Sequence, residues 1–280
     1  MYKRAGFEPV WCKGCGNYAV LTALIKVFEE LELNPADIVI TSGIGCSGRF
    51  SHYLNVYSLH GTHGRAIPAA IGVKAARPKL TVLSVSGDGD ATGIGGGHLP
   101  HAARRNPDLT SLILDNNTYA LTKGQVSPMT PEGTRTKTTP YGSGDDPLDI
   151  LPMLLVYNTS FVANTSSSNM KELILLLKEA ILHRGFSIVR IFSPCVTYPV
   201  LSWQTLKEQL SPLPEHYSPT DKMAALQMAY CREPVYTGVL FKQRKPTMEE
   251  KIQQEIQMAC TLEHADGRKY TPLEIMQSYL

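Results

Sequence analysis

The first residues whose types and spacing could do chemistry are Gly87-Asp88-Gly89 and Asn116, which follows Asp88 by 28 positions. An aspartate at the end of a strand can hold a divalent cation, and flanking glycines let backbone amides approach the oxygens of a diphosphate. Asn116 can return a neutral oxygen at the end of the next strand, and the Thr118 carbonyl can supply another. Mg²⁺ prefers such a site, with few protein oxygens and the remainder from phosphate and water. Gly-Asp-Gly by itself reads as readily as a plain turn. The order strand, Gly-Asp-Gly, helix, strand, Asn is what favours the metal reading.

The second set is cysteine. Six occur, at positions 12, 15, 46, 195, 231 and 260. A cytosolic chain of this size does not need disulfides, so grouped cysteines read as metal ligands or redox groups. Only Cys12 and Cys15 are close in sequence, so any four-ligand site must recruit cysteines from distant loops. A structural zinc site commonly uses two close pairs or nearby histidines. Spacing alone favours iron–sulfur over zinc and leaves both open.

These residues need a scaffold, and the pattern supplies one. Residues 17–31 read as a helix with Asn17 as its cap and Val20, Leu21, Leu24, Ile25, Phe28 and Leu31 on one face. Ile38-Val39-Ile40 is a buried strand running into the loop Gly43-Ile44-Gly45-Cys46. A helix of small residues over 65–76 and strands over 80–85 and 109–114 follow. After a long polar loop come a strand at 160–163, a helix at 170–183 and a strand at 187–192. Strands alternating with helices predict a parallel sheet with helices on both faces, an α/β fold. Ligands of such sheets sit beyond the carboxyl ends of the strands. The Cys46, Asp88 and Asn116 loops and Cys195 each follow a strand, which places them at one rim. Beyond residue 200 the rhythm fades. The chain is therefore expected to divide into a domain over 1–200 and an irregular C-terminal arm over 201–280, with a short strand at 235–241 and a polar helix near 248–258, packing on a partner.

Composition narrows the class. Hydrophobic residues make up 43% and charged residues 19% of the chain, the balance of an ordinary folded protein. A net charge of +2 gives no argument for a nucleic-acid or membrane partner. No apolar signal region opens the sequence, and no stretch approaches the ~18 apolar residues of a membrane span. A cytoplasmic protein is expected.

Five segments, "WCKGCG" at 11–16, "GIGCSGR" at 43–49, "THGRAIPAAIGVK" at 62–74, "SGDGD" at 86–90 and "DNNTYALTKGQVSP" at 115–128, carry a resemblance. Gly87-Asp88-Gly89 with Asn116 resembles the thiamine-diphosphate motif, and the set over about residues 5–200 resembles the β subunit of 2-oxoacid:ferredoxin oxidoreductases. The resemblance implies that Asp88, Asn116 and the Thr118 carbonyl bind the Mg²⁺ that anchors thiamine diphosphate. Gly87, Gly89, Asp90 and the His63-Gly64 turn would line the same pocket, although His52, His60 and His63 read equally well as loop histidines. It implies a [4Fe–4S] cluster on Cys12, Cys15, Cys46 and Cys195, with Cys46 beside the thiamine and with Cys231 and Cys260 as structural thiols. The implied reaction is oxidative decarboxylation of a 2-oxoacid with coenzyme A as acyl acceptor and ferredoxin as electron acceptor, possible also in the carboxylating direction.

The glutamate that activates thiamine in this superfamily lies on a different domain, not recognisable here. An α subunit is therefore implied, as αβ or α2β2, and this chain should be inactive alone. Arg49 and Leu121 resemble the substrate-pocket residues of members acting on larger or dicarboxylic oxoacids, so 2-oxoglutarate, giving succinyl-CoA, is expected. Pyruvate or broad specificity is the alternative. A redox-inactive thiamine enzyme or a zinc-stabilised interaction module are the more distant ones.

Overall fold

The computed structural model describes residues 1–259, 267 and 271–277; Cys260 lies outside them. In chain order the elements are α1 (Asn17–Glu30), β1 (Ile38–Ser42), α2 (Phe50–Tyr53), β2 (Tyr57–His60), α3 (Ala66–Ala76), β3 (Thr81–Gly87), α4 (Asp88–Thr92), α5 (His98–Arg105) and β4 (Leu109–Asp115). A small hairpin of β5 (Thr118–Tyr119) and β6 (Gln125–Val126) follows, then α6 (Ile150–Val156), β7 (Phe161–Ser166), α7 (Met170–Leu182) and β8 (Phe186–Phe192). The remainder is α8 (Trp203–Gln209), β9 (Leu210–Pro212), α9 (Lys222–Tyr230), β10 (Val235–Lys242), α10 (Met248–Ala259) and α11 (Pro272–Gln277).

Eight strands form one sheet in the order β2-β1-β3-β4-β8-β7-β10-β9. The six strands from β2 to β7 are mutually parallel, and β10 runs antiparallel to β7. The central strands are buried along their whole length; all seven residues of β4 and of β8 are buried. That follows from cover on both faces, which requires near-continuous apolar runs such as those at 109–114 and 186–192. One face packs Val20, Leu24 and Phe28 of α1 and Leu173 and Leu177 of α7 on Val85, Leu114 and Ile191. The other packs Leu99, Ile150, Leu154 and Ala225 on Ile113, Ile188 and Leu240. The expected α/β fold with helices on both faces is the observed one.

Three local readings change. Gly16, not Asn17, holds the cap position of α1, and no side chain caps it. Asn17 is instead buried in the first turn, where its side-chain oxygen accepts from the Ser193 hydroxyl at 3.2 Å. The loop between Asn117 and Ser160 contains α6, capped by Asp149, whose carboxylate accepts from the Leu151 N–H. The sheet also continues across residue 200, because β10 pairs with β7 and β9 pairs with β10.

Candidate cofactor and metal-binding site

The chain enters the sheet at β1, goes outward to β2, and crosses back to β3 on the other side of β1. This reversal opens a crevice at the carboxyl ends of β1 and β3, the general ligand position in open parallel sheets. A cavity of about 240 Å³ lies there, lined by Ile44, Cys46, His63, Asp88, Asn116 and Leu121 among others. Gly87, Gly89, Asp90 and Thr118 also line it.

Asp88 is 1% exposed. One carboxylate oxygen accepts from the Ser127 hydroxyl at 2.5 Å, and the other accepts weakly from the Asn116 N–H at 3.4 Å. Burial, with the nearby Asp115 carboxylate adding to it, pushes Asp88 up to about 8. A buried carboxylate held so far above its ordinary range is a group that a cation would stabilise. The Asn116 side-chain oxygen accepts from the Thr118 N–H at 3.0 Å, and the Thr118 carbonyl accepts from the Ala120 N–H at 3.0 Å. The Asn116 side-chain oxygen, accepting a single hydrogen bond, keeps a lone pair. Gly89 has to be glycine, because a Cβ there would stand 2.3 Å from the Tyr119 ring, whose hydroxyl donates to the Gly89 carbonyl.

Asp90 joins three loops. One of its oxygens accepts from the Ile44 N–H at 2.9 Å and the Gly64 N–H at 2.8 Å, and lies 2.9 Å from His63 Nδ1. Its other oxygen is buried without a hydrogen-bond partner. The β1 loop, the His63-Gly64 turn and the start of α4 are thus held by a single carboxylate. His63 lines the cavity, whereas His52 and His60 face one another with ring centres 4.9 Å apart, and His60 contacts the Ser42 hydroxyl.

The four cysteines from distant parts of the chain meet around a second, adjoining cavity lined by Cys12, Cys15, Cys46 and Cys195. The N-terminal pair reaches it on a turn closed by the Cys15 N–H donating to the Cys12 carbonyl, with Gly14 at φ +84° between them. Trp11 pins that turn to the β1 loop: its indole N–H donates to the Cys46 carbonyl at 2.7 Å, and its ring packs on Phe50 and Tyr53. Burial pushes the Cys15 thiol up to about 11, with Cys46, Cys195 and Cys12 adding to the rise against a backbone hydrogen bond at Asn17. Cys46 is raised for the same reasons, first burial and then its neighbours Cys195 and Cys12, with Arg49 opposing. Thiols that oppose each other's ionisation this way are suited to share a positively charged group. Cys231 stands apart, in a pocket beside Arg190 and Arg232.

Asn17, Cys46, Asn116 and Ala120 border both cavities. Of the two substrate-pocket candidates, Leu121 lines the first cavity and is 45% exposed. Arg49 does not line it, because Ser47–Arg49 form a 3₁₀ turn that carries the chain on into α2. Among the described residues no carboxylate lies within ion-pair distance of Arg49. The residues that sequence reasoning missed are Ser127, Tyr119, Trp11 and the buried role of Asn17. The first three fall inside the quoted segments, but only the fold reveals what they touch.

Residues 43–191 match the family described as thiamine pyrophosphate enzyme, C-terminal TPP binding domain. With the crevice and its Asp88 loop, that match makes this a thiamine-diphosphate-binding domain. Residues 195–256 match the family described as the C-terminal part of the pyruvate ferredoxin oxidoreductase beta subunit. The 2-oxoglutarate synthase subunit KorB of Archaeoglobus fulgidus is 38% identical over 253 residues, covering 90% of this chain and 92% of the relative. The protein of the same name from Methanocaldococcus jannaschii is 43% identical over 189 residues, covering 68% and 70%. A solved structure of 2-oxoglutarate:ferredoxin oxidoreductase from Magnetococcus marinus, with 2-oxoglutarate, coenzyme A and succinyl-CoA bound, is similar at a TM-score of 0.92 and 34% identity, covering 100% of this chain and 94% of that one. The chain belongs to the β-subunit family of 2-oxoacid:ferredoxin oxidoreductases.

Proposed function

We propose that this chain is the β subunit of an enzyme that oxidatively decarboxylates 2-oxoglutarate, with coenzyme A as acyl acceptor and ferredoxin as electron acceptor. The observation that carries the reading is the shared wall of the two cavities: the Asp88 crevice and the four-cysteine cavity meet at Cys46. The names of the relatives and the bound molecules of the Magnetococcus marinus structure support the choice of 2-oxoglutarate and coenzyme A.

When bound, thiamine diphosphate supplies the nucleophilic carbon that releases CO₂ from a 2-oxoacid, and a [4Fe–4S] cluster supplies the one-electron steps. Asp88, the Asn116 side chain and the Thr118 carbonyl would hold Mg²⁺, and Gly87 and Gly89 would admit the diphosphate. Asp90 and His63 would fix the loops around it. Cys12, Cys15, Cys46 and Cys195 would hold the cluster. The four thiols ring one cavity, yet among the described residues no three His, Cys, Asp or Glu are grouped closely enough for a single metal ion. Arg49, outside the cavity lining and with no carboxylate within ion-pair distance among the described residues, would have to turn toward the crevice to meet the distal carboxylate of the substrate, and Leu121 would pack on its carbon chain.

An α subunit would complete the thiamine site, in an αβ or α2β2 assembly. Within the C-terminal arm, β9 and β10 belong to the sheet, so the part left to meet a partner lies beyond Lys242. There α10 exposes Ile252 and Ile256 one turn apart, which supports a docking role. Among the described residues no helix is long and apolar enough to cross a membrane.

The test is anaerobic co-expression with the partner subunit, followed by coenzyme A-dependent reduction of an electron acceptor with 2-oxoglutarate and with pyruvate. Turnover of 2-oxoglutarate at least tenfold above pyruvate is expected. Equal or reversed rates would replace the substrate assignment with the broad-specificity or pyruvate reading, and a colourless preparation containing zinc would remove the redox reading altogether.

A further inference from the structure

The four cysteine sulfurs are not equivalent in their surroundings. Cys15, Cys46 and Cys195 are half-buried, whereas Cys12 is exposed. Cys12 Sγ also accepts a hydrogen bond from a side chain, the Thr197 hydroxyl at 3.1 Å, the sole side-chain donor to any of the four sulfurs among the described residues. Cys195 Sγ accepts from a backbone N–H, that of Tyr198, at 3.3 Å. The two donors are consecutive residues on the loop that leaves β8. That loop is braced, because the Tyr198 ring packs directly against Gly124 of the β5–β6 segment, leaving no room there for a Cβ. Thr197 is thus held over the outermost sulfur by a neighbour with its own anchor.

A hydroxyl that donates to a cluster thiolate draws electron density from the sulfur. The reduced cluster carries one more negative charge than the oxidised one, so the same hydrogen bond is stronger after reduction. It therefore raises the reduction potential. We propose that Thr197 sets the potential of the [4Fe–4S] cluster through its hydrogen bond to the Cys12 sulfur. The inference rests on the four-cysteine cluster of the proposed function and adds a residue that is not a ligand. The step is a single electron added to the oxidised cluster, with no bond made or broken, and Thr197 favours the side on which that electron has arrived.

The experiment uses the anaerobic complex with its partner subunit. Wild type, Thr197→Val and Thr197→Ser are compared by iron and acid-labile sulfide content and by a dithionite redox titration followed by electron paramagnetic resonance. Val matches the shape of Thr without the hydroxyl; Ser keeps the hydroxyl without the methyl. Iron and sulfide should be equal in all three. At a fixed potential the reduced-to-oxidised ratio of the Val variant should fall roughly three- to tenfold, as expected for losing a fraction of one hydrogen bond. That is a downward move of roughly 28–59 mV at about 59 mV per decade for one electron. The Ser variant should stay with the wild type. Loaded clusters with an unchanged potential in Thr197→Val would overturn the inference and leave the cluster reading standing. A Ser variant that falls as far as Val would assign the effect to packing and also overturn it. Wild type without iron or sulfide would overturn the cluster reading, and this inference with it.

Discussion

At the scale of single residues the site is governed by two buried carboxylates, Asp88 with both oxygens hydrogen-bonded and Asp90 with one. Ser127 donates to the Asp88 oxygen that would otherwise be free to swing, so it orients the proposed Mg²⁺ ligand. A hydrogen bond to a charged group contributes about 1.5–3 kcal/mol. Ser127→Ala should therefore weaken Mg²⁺-dependent thiamine diphosphate binding roughly ten- to hundredfold, whereas Asp88→Ala should abolish it, with iron content and fold retained in both. Titration calorimetry on the complex separates these outcomes; unchanged affinity in Asp88→Ala would sink the metal assignment. Arg49 gives a second residue-level expectation. Its charge is permanent and lacks an acidic partner among the described residues, which suits a substrate carboxylate. In Arg49→Ile the kcat/KM ratio of 2-oxoglutarate to pyruvate should fall by roughly one to two orders of magnitude. A ratio that does not move would mean that Arg49 does not read the distal carboxylate.

At the scale of elements, the junction between α7 and β7 contains a titration that bears on stability. The His183 ring packs against Phe161 with centroids 5.4 Å apart, and Nε2 lies 3.0 Å from the Ser160 hydroxyl. Burial, followed by the positive charge of Lys242, lowers His183 from its ordinary 6.5 to about 4. The folded chain therefore resists a proton that the unfolded chain accepts. The contribution of this residue is fully present above pH 6.5, shrinks as the pH falls from there, and changes no further below about pH 4. Urea midpoints of the iron-free chain at pH 7.5 and 5 should differ more in the wild type than in His183→Gln; equal differences would refute the assignment. The same scale explains what could be read in advance. The strands at 38–40, 80–85, 109–114 and 187–192 were legible because burial on both faces leaves near-continuous apolar runs. The edge strand β2 was not, since all four residues of Tyr57–His60 are exposed and carry no pattern. Helix α6 was missed because it is seven residues long with Pro152 inside, too short for a periodicity to emerge. The motifs named Asp88, Asp90, Asn116 and four cysteines, but Ser127 was missed, and the hydrogen bonds of Ser127 and Asp90 span 39 and 46 positions, which no local spacing encodes.

At the scale of the whole molecule, the four cysteines come from the N-terminus, the β1 loop and the loop after β8, and a cluster would staple these segments together. Cys12→Ser, Cys15→Ser, Cys46→Ser and Cys195→Ser should each lower the iron content measured after anaerobic purification, while Cys231→Ser should leave it unchanged. Iron lost from Cys231→Ser but retained in Cys195→Ser would mean a different fourth ligand. The partition between the cavities, built from Asn17, Cys46, Asn116 and Ala120, has a consequence for the life history of the protein. If the proposed cluster adds to the hydrogen bonds that already hold this partition, its loss would loosen one wall of the neighbouring crevice, and the inorganic centre is expected to enter before the organic cofactor. Oxygen acting on the exposed Cys12 corner would run that sequence backwards. An air-damaged enzyme should shed thiamine diphosphate during gel filtration while its anaerobic twin retains it, and the vitamin-derived cofactor would return to the cell's pool from each protein awaiting repair.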